Sequence, residues 1–203
     1  MAEICLYECL REIRDLINKP RKRFQLLKNL GGWDQMCSSL DVIEDTDLAL
    51  SAYLEAEFPR EDGAKYLAVY GVLQALFVQQ YAVMHLCESL NVPRPSSDPI
   101  LEQIRDVRNE SIGHPTKKDK SKSRPISYHF ISRATISKKR FQLLSSYGDG
   151  RTEFKDVLIE KMIADQKDKL KHVLDDIIDK LVQEEIEHKE RPAFNQQVQH
   201  LRP

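Results

Sequence analysis

The stretch that decides the fold is Tyr66–Leu90, YLAVYGVLQALFVQQYAVMHLCESL. Tyr66, Leu67, Val69, Tyr70, Leu73, Leu76, Phe77, Tyr81, Met84 and Leu90 recur at helical spacing and leave almost no polar face. A helix apolar nearly all round belongs in the middle of a bundle or at a subunit contact. A membrane span is the competing reading, since it needs about 20 predominantly apolar residues. Gln74, Gln79, Gln80 and His85 interrupt the run, so a buried helix over residues 62–91 is expected, and no membrane association. Tyr81 and His85, one turn apart, are expected to pack in the core.

The chain on either side is helical in pattern. Ile4, Leu6, Leu10, Ile13 and Ile17 predict a first helix over residues 3–18. Pro20 opens a second piece, PRKRFQLLKNL, which Gly31-Gly32 is expected to end. Short helices follow over Trp33–Leu40 and residues 43–57. After the loop NVPRPSSDP, Asp98 reads as an N-cap with Pro99 at the first helical position and Glu102 in the first turn. Residues 117–125, KKDKSKSRP, are basic and low in complexity, the composition of a mobile loop. The period then changes from helical to alternating at Ile126, Tyr128, Phe130, Ala134 and Ile136, which predicts a strand. RFQLLSSYGDGRTEF reads as a further strand, a Gly-Asp-Gly turn and a short return. From Phe154 to about Glu190 a helix resumes, approaching 50 Å at about 1.5 Å per residue. That exceeds what a compact bundle needs, so it kinks, frays or packs on a second copy. The hexapeptide KRFQLL occurs twice, at Lys22–Leu27 in a helical context and at Lys139–Leu144 in a strand context. Six residues are too few for an internal repeat. The expected architecture is one mainly α domain over residues 1–191, an up-and-down helical bundle with a small antiparallel β insertion at 126–155. Residues 192–203 read as a disordered tail.

Composition narrows the function. Of 203 residues 41% are hydrophobic, and 31 basic residues nearly cancel 32 acidic ones, for a net charge of −1. A coat protein for duplex nucleic acid needs a broad basic face, which this balance argues against while leaving room for a local basic groove. Cys5, Cys9, Cys37 and Cys87 are scattered without a CxxC pair and read as packed, reduced thiols. Glu3, Glu8, Arg11 and Glu12 break the N-terminal apolar run, against a signal peptide. A cytoplasmic location is expected. Phosphate-loop, Walker-lysine, GxSxG and HExxH patterns are absent, and the six histidines do not pair at metal-ligand spacing. No metal or other cofactor is expected.

One segment carries chemistry: Arg105–Thr116, RDVRNESIGHPT. On a regular helix Arg108 and His114 stand roughly 9 Å apart along the axis and on different faces. Gly113 tolerates a left-handed turn and Pro115 discourages helix at His114. The imidazole is therefore expected to swing back over the turn carrying Arg108. Arginine presents a fixed, always-charged fork that suits phosphate oxygens, and histidine exchanges a proton near neutral pH. A ribose 2′-OH attacking its own phosphodiester needs proton transfer at two oxygens and relief of the charge on the phosphorane. The bland alternative is that both residues only settle a helix C-terminus, through the macrodipole and the last carbonyls.

Ile104–Pro115, IRDVRNESIGHP, together with the apolar lead-in of Ile100, Leu101, Ile104 and Val107, resembles the signature of the HEPN superfamily. The resemblance implies a helical bundle and, for many members, a metal-independent ribonuclease of a toxin–antitoxin, phage-defence or RNA-processing system. It implies that Arg108 and His114 are catalytic, that Asn109 supports them, and that two motifs meet across a homodimer, with a cognate antitoxin as a further possible partner. Lys117, Lys118, Lys120, Lys122 and Arg124, which follow the motif, are expected to guide an RNA backbone. Some such domains keep the fold and serve only as non-catalytic dimerisation or interaction modules.

Overall fold

A computed structural model describes residues 6–93, 97–118 and 126–189. The long apolar repeat forms the central helix α4 (Asp62–Ser89). It lies along α3 (Leu30–Glu55) and also touches α5 (Pro99–Arg108) and α6 (Ile159–Lys189), while α1 (Leu6–Ile17) packs on α6 and α2 (Pro20–Leu26) joins α1 to α3. Three antiparallel strands, β1 (Ser127–Ile131), β2 (Arg140–Tyr147) and β3 (Thr152–Leu158), stand in the order β1-β2-β3 between α5 and α6. The chain is mainly helical with a small antiparallel sheet.

By length and composition α4 is apolar enough to cross a membrane. Packing accounts for part of that apolarity: Val69, Val72, Leu73, Leu76, Val83 and Leu86 are buried in two adjoining cores, whereas Leu67, Tyr70 and Tyr81 are exposed. One core joins α1, α3, the end of α4 and the middle of α6. The other joins the start of α4, α5, the start of α6 and the inner face of the sheet, with Phe141, Leu143 and Val157 at its base.

Several boundaries differ from those the sequence suggests. Gly31-Gly32 does not end a helix; it lies in the first turn of α3, whose cap is Asn29 accepting from the Gly32 N–H at 3.2 Å. The two short helices expected over residues 33–57 are therefore one. The helix α6 begins at Ile159 rather than Phe154, because Phe154–Leu158 stay in β3 and pair with β2. The alternation at 126–136 marks a strand only to Ile131, with a 3-10 turn at Arg133–Thr135 after it. Its apolar face is also the outer one: Tyr128 and Phe130 are exposed, whereas Ser127 and His129 are buried. Asp98 caps α5 as expected, accepting from the N–H groups of Ile100 at 2.8 Å and Leu101 at 3.2 Å. The β2–β3 turn uses Gly150 at φ +88°, a left-handed conformation that glycine adopts without cost from a side chain. Cys9 and Cys87 are buried and Cys37 is half-buried, none of them in a disulfide among the described residues; Cys5 and the tail 192–203 lie outside the described residues.

A buried amide network sets the register of three helices. Gln80 of α4 donates to the Gln166 Oε1 of α6 at 2.6 Å. Gln166 donates back to the Gln79 Oε1 at 2.9 Å and the Leu76 carbonyl at 3.0 Å. Arg105 of α5 donates to the Gln80 Oε1 at 2.9 Å. Buried polar groups left unpaired cost about 1–3 kcal/mol each. Gln166→Ala strips partners from Gln79, Gln80 and Leu76 together and should destabilise the fold by about 3 kcal/mol, read as a lower urea midpoint with an unchanged m-value.

Candidate functional site

The motif sits where α5 gives way to a π-helical turn, Asn109–Gly113. Such turns are rare and favour functional sites. The His114 N–H donates to the Asn109 carbonyl at 2.7 Å, five residues back. The wider turn thus ties His114 to the residue next to Arg108, and His114 leaves the helical region at φ −139°, ψ 49°, as the following Pro115 favours. The left-handed turn expected at Gly113 does not form. Gly113 matters for space instead: a Cβ there would stand 2.8 Å from Arg108 Nη1 and 3.2 Å from Asn109 Oδ1. The guanidinium lies where a side chain at 113 would be.

Arg108 is held on three sides. Its Nε and Nη2 donate to the Gln74 Oε1 at 3.2 and 3.0 Å, and its Nη1 donates to the Asn109 Oδ1 at 3.0 Å. Its guanidinium carbon is 4.2 Å from the Phe77 ring centroid, a cation–π contact worth roughly 1 kcal/mol. An arginine that merely capped a helix would bond main-chain carbonyls; these bonds go to side chains. They use three of the five N–H donors an arginine carries, leaving two for an anion. Asn109 therefore orients the guanidinium. The His114 side chain is exposed.

Phe77, which the guanidinium covers, belongs to a row of ring contacts along α4. Tyr66 and Tyr70 meet edge-on at 5.8 Å, as do Tyr81 and His85 at 6.2 Å, and Phe77 and Tyr81 meet tilted at 4.7 Å. Tyr81 and His85 are exposed, contrary to the expectation of core packing. They share a face with Gln74, whereas the buried side of the helix is carried by Val69, Val72, Leu76 and Val83.

Of the basic loop, Lys117 is exposed, and Lys118 lies 3.3 Å from Glu110 and 3.5 Å from Asp106. Lys118 is paired with carboxylates rather than offered to a phosphate. Its backbone pairs with Ser127, and the Pro115 carbonyl accepts from the His129 N–H at 2.8 Å, so the segment after His114 runs beside β1. Lys120, Lys122 and Arg124 lie outside the described residues. Among the described residues no three His, Cys, Asp or Glu side chains converge as a metal site.

Four residues of this region escaped the sequence reading. Gln74 looked like a polar break in an apolar helix. His129, on the inner face of β1, is bracketed by two hydroxyls, Ser127 Oγ at 3.0 Å from Nε2 and Ser145 Oγ at 2.8 Å from Nδ1. Only the strand register, which places His129 opposite Ser145, reveals this group. Compared with known proteins, the chain matches no family model, no curated protein and no solved structure.

Burial pushes the His129 imidazole below its ordinary 6.5, with the Glu110 charge opposing and the Lys118 charge reinforcing the shift. The folded state holds it neutral, so below about pH 6.5 the unfolded chain binds the proton more readily. Its contribution to stability is complete above that pH and is lost as pH falls through the depressed folded value. Urea midpoints between pH 7.5 and 5 should show this decline, and His129→Gln should flatten it. Gly113→Ala should lower the melting temperature modestly, because the added Cβ pushes the Arg108 guanidinium off its Gln74 and Asn109 partners. It should displace the guanidinium and weaken anion binding at Arg108, as measured by titration with a short RNA.

Proposed function

We propose that this chain is a HEPN-like, metal-independent endoribonuclease, or an RNA-binding relative of one, acting in a cytoplasm as part of a toxin–antitoxin or phage-defence system. The observation that carries the reading is the posture of Arg108. Its guanidinium is immobilised by Gln74, Asn109 and Phe77 with two N–H donors spare, and the exposed His114 is tied by its backbone N–H to the Asn109 carbonyl. Holding a charge fixed in this way is what stabilisation of a phosphorane requires, since a preorganised donor need not reorient during reaction.

In this mechanism His114 is the acid/base. It takes the proton of the 2′-OH as that oxygen attacks phosphorus, or returns one to the departing 5′ oxygen. Arg108 neutralises the non-bridging oxygens, and Asn109 keeps the guanidinium in plane. One histidine per chain serves one of the two transfers, which fits a homodimer whose motifs face a common cleft. The exposed Leu67, Tyr81 and His85, on the same face of α4 as Gln74, supply an apolar surface beside the motif for such a dimer. The same surface supports the second reading, a non-catalytic dimerisation module in which the motif ties down the end of α5. A cognate antitoxin is a further partner the reading allows.

Incubation with mixed RNA in excess chelator tests the reaction class. Cleavage should persist and leave 2′,3′-cyclic phosphate ends. His114→Ala and Arg108→Ala should each lower the rate at least 100-fold, the exposed His114→Ala with stability within about 1 kcal/mol of the parent. Parent protein that cuts no RNA, with dimers lost in both variants, would favour the dimerisation module.

A further inference from the structure

We infer that the groove flanking the motif, between α4 and β1, is a nucleobase subsite that takes a base of single-stranded RNA next to the phosphate held at Arg108. The inference rests on the RNA reading above and names the part of the substrate that reading leaves unassigned. The groove, of about 330 Å³, is lined by Tyr66, Tyr70, Ser111, Pro115, His129 and Phe130, with Ile131 at its end. Two of its lining residues are close in the chain to the motif and its partner. Pro115 follows His114 directly, and Tyr70 is one turn of α4 from Gln74, which holds the Arg108 guanidinium.

Three features suit a base rather than an apolar side chain. First, the walls are aromatic and open: Phe130 is 55% exposed and Tyr70 41% exposed. Aromatic faces that protrude from a strand and a helix stack on any base, because every base has a π-face. Secondly, Ser111 is only 3% exposed, and its hydroxyl has no hydrogen-bond partner among the described residues. A buried hydroxyl without a partner is costly, and it can both donate and accept, as the edges of all four bases require. The other buried polar group of the groove, the His129 ring, is already satisfied at both nitrogens by Ser127 and Ser145. Thirdly, Glu110 and Lys118, whose charges reach His129, pair with each other at 3.3 Å, and Arg108, three residues before Ser111 in the chain, keeps two donors spare, which favours a phosphate-linked occupant over a peptide.

The subsite predicts base-dependent affinity with weak sequence preference. The probe is a set of four 2′-O-methyl homopolymer decamers, which lack the attacking hydroxyl and survive the parent protein, and a decamer of the same backbone without bases. The parent should bind the base-bearing strands at least tenfold more tightly than the abasic strand. Phe130→Ala and Tyr70→Ala should each remove most of that difference and leave abasic binding unchanged, and Phe130→Trp should preserve it. Ser111→Ala should weaken the base-bearing strands about fivefold. Both aromatics are exposed and lie outside the buried cores, so these variants retain the fold; Phe130→Leu keeps apolar bulk without a stacking face and should behave like Phe130→Ala. If the parent binds abasic and base-bearing strands equally, or if the aromatic variants keep its preference, the subsite is wrong while RNA binding stands. If the parent binds neither kind of strand, the RNA reading falls with it.

Discussion

The rest of the structure depends on the buried hydrogen bonds among Gln79, Gln80, Gln166 and Arg105. Apolar packing alone lets helices slide by a turn at modest cost, because one leucine can replace another in a groove. Directional bonds from fully buried amides do not permit that slide, since any other register leaves donors and acceptors unpaired away from water. Through Gln80 the network joins α4 to α6, and through Arg105 it reaches α5. Arg105 lies one turn before Arg108, so a network in the core also sets where the candidate site stands against α4.

From that registration the local chemistry follows. With α5 positioned, Arg108 meets Gln74 and Phe77, and the π turn gives the chain one extra residue with which to bring His114 over Asn109. The glycine at 113 vacates the volume that the guanidinium fills. Sequence, local geometry and long-range packing meet at one side chain: Asn109 is its neighbour in the chain, Gln74 its neighbour only in space. A cation restrained on several sides has already surrendered its rotamer freedom, so little entropy remains to be lost when an anion arrives.

The sheet shows how far local pattern can mislead. Alternation at Tyr128 and Phe130 announced a strand correctly and its buried side wrongly. The inner face of β1 is taken by Ser127 and His129 because their polar groups satisfy one another and Ser145. That arrangement leaves two rings outside. The hexapeptide KRFQLL makes the same point within one chain. At Lys22–Leu27 it lies largely in α2, with Phe24 66% exposed; at Lys139–Leu144 it lies largely in β2, with Phe141 fully buried. Six residues have no intrinsic preference strong enough to resist their surroundings.

What the sequence by itself determined is local. The run 66–90 requires a long central helix, Asp98-Pro99 starts the next one, and the change of period after residue 126 requires strands. Arg108, Asn109 and His114 are legible as a group because they are close in the chain and bounded by Gly113 and Pro115. The tertiary structure alone decided what meets them from elsewhere. Gln74 and Phe77 precede Arg108 by about 30 residues, and His129 and Phe130 follow His114 from another strand. It also decided that α3 is one helix and that Phe154–Leu158 remain in the sheet. The physical reason is that caps, turns and periodicity act over a few residues, whereas satisfaction of a buried donor and the choice of which face of a strand is covered depend on partners that only folding brings near.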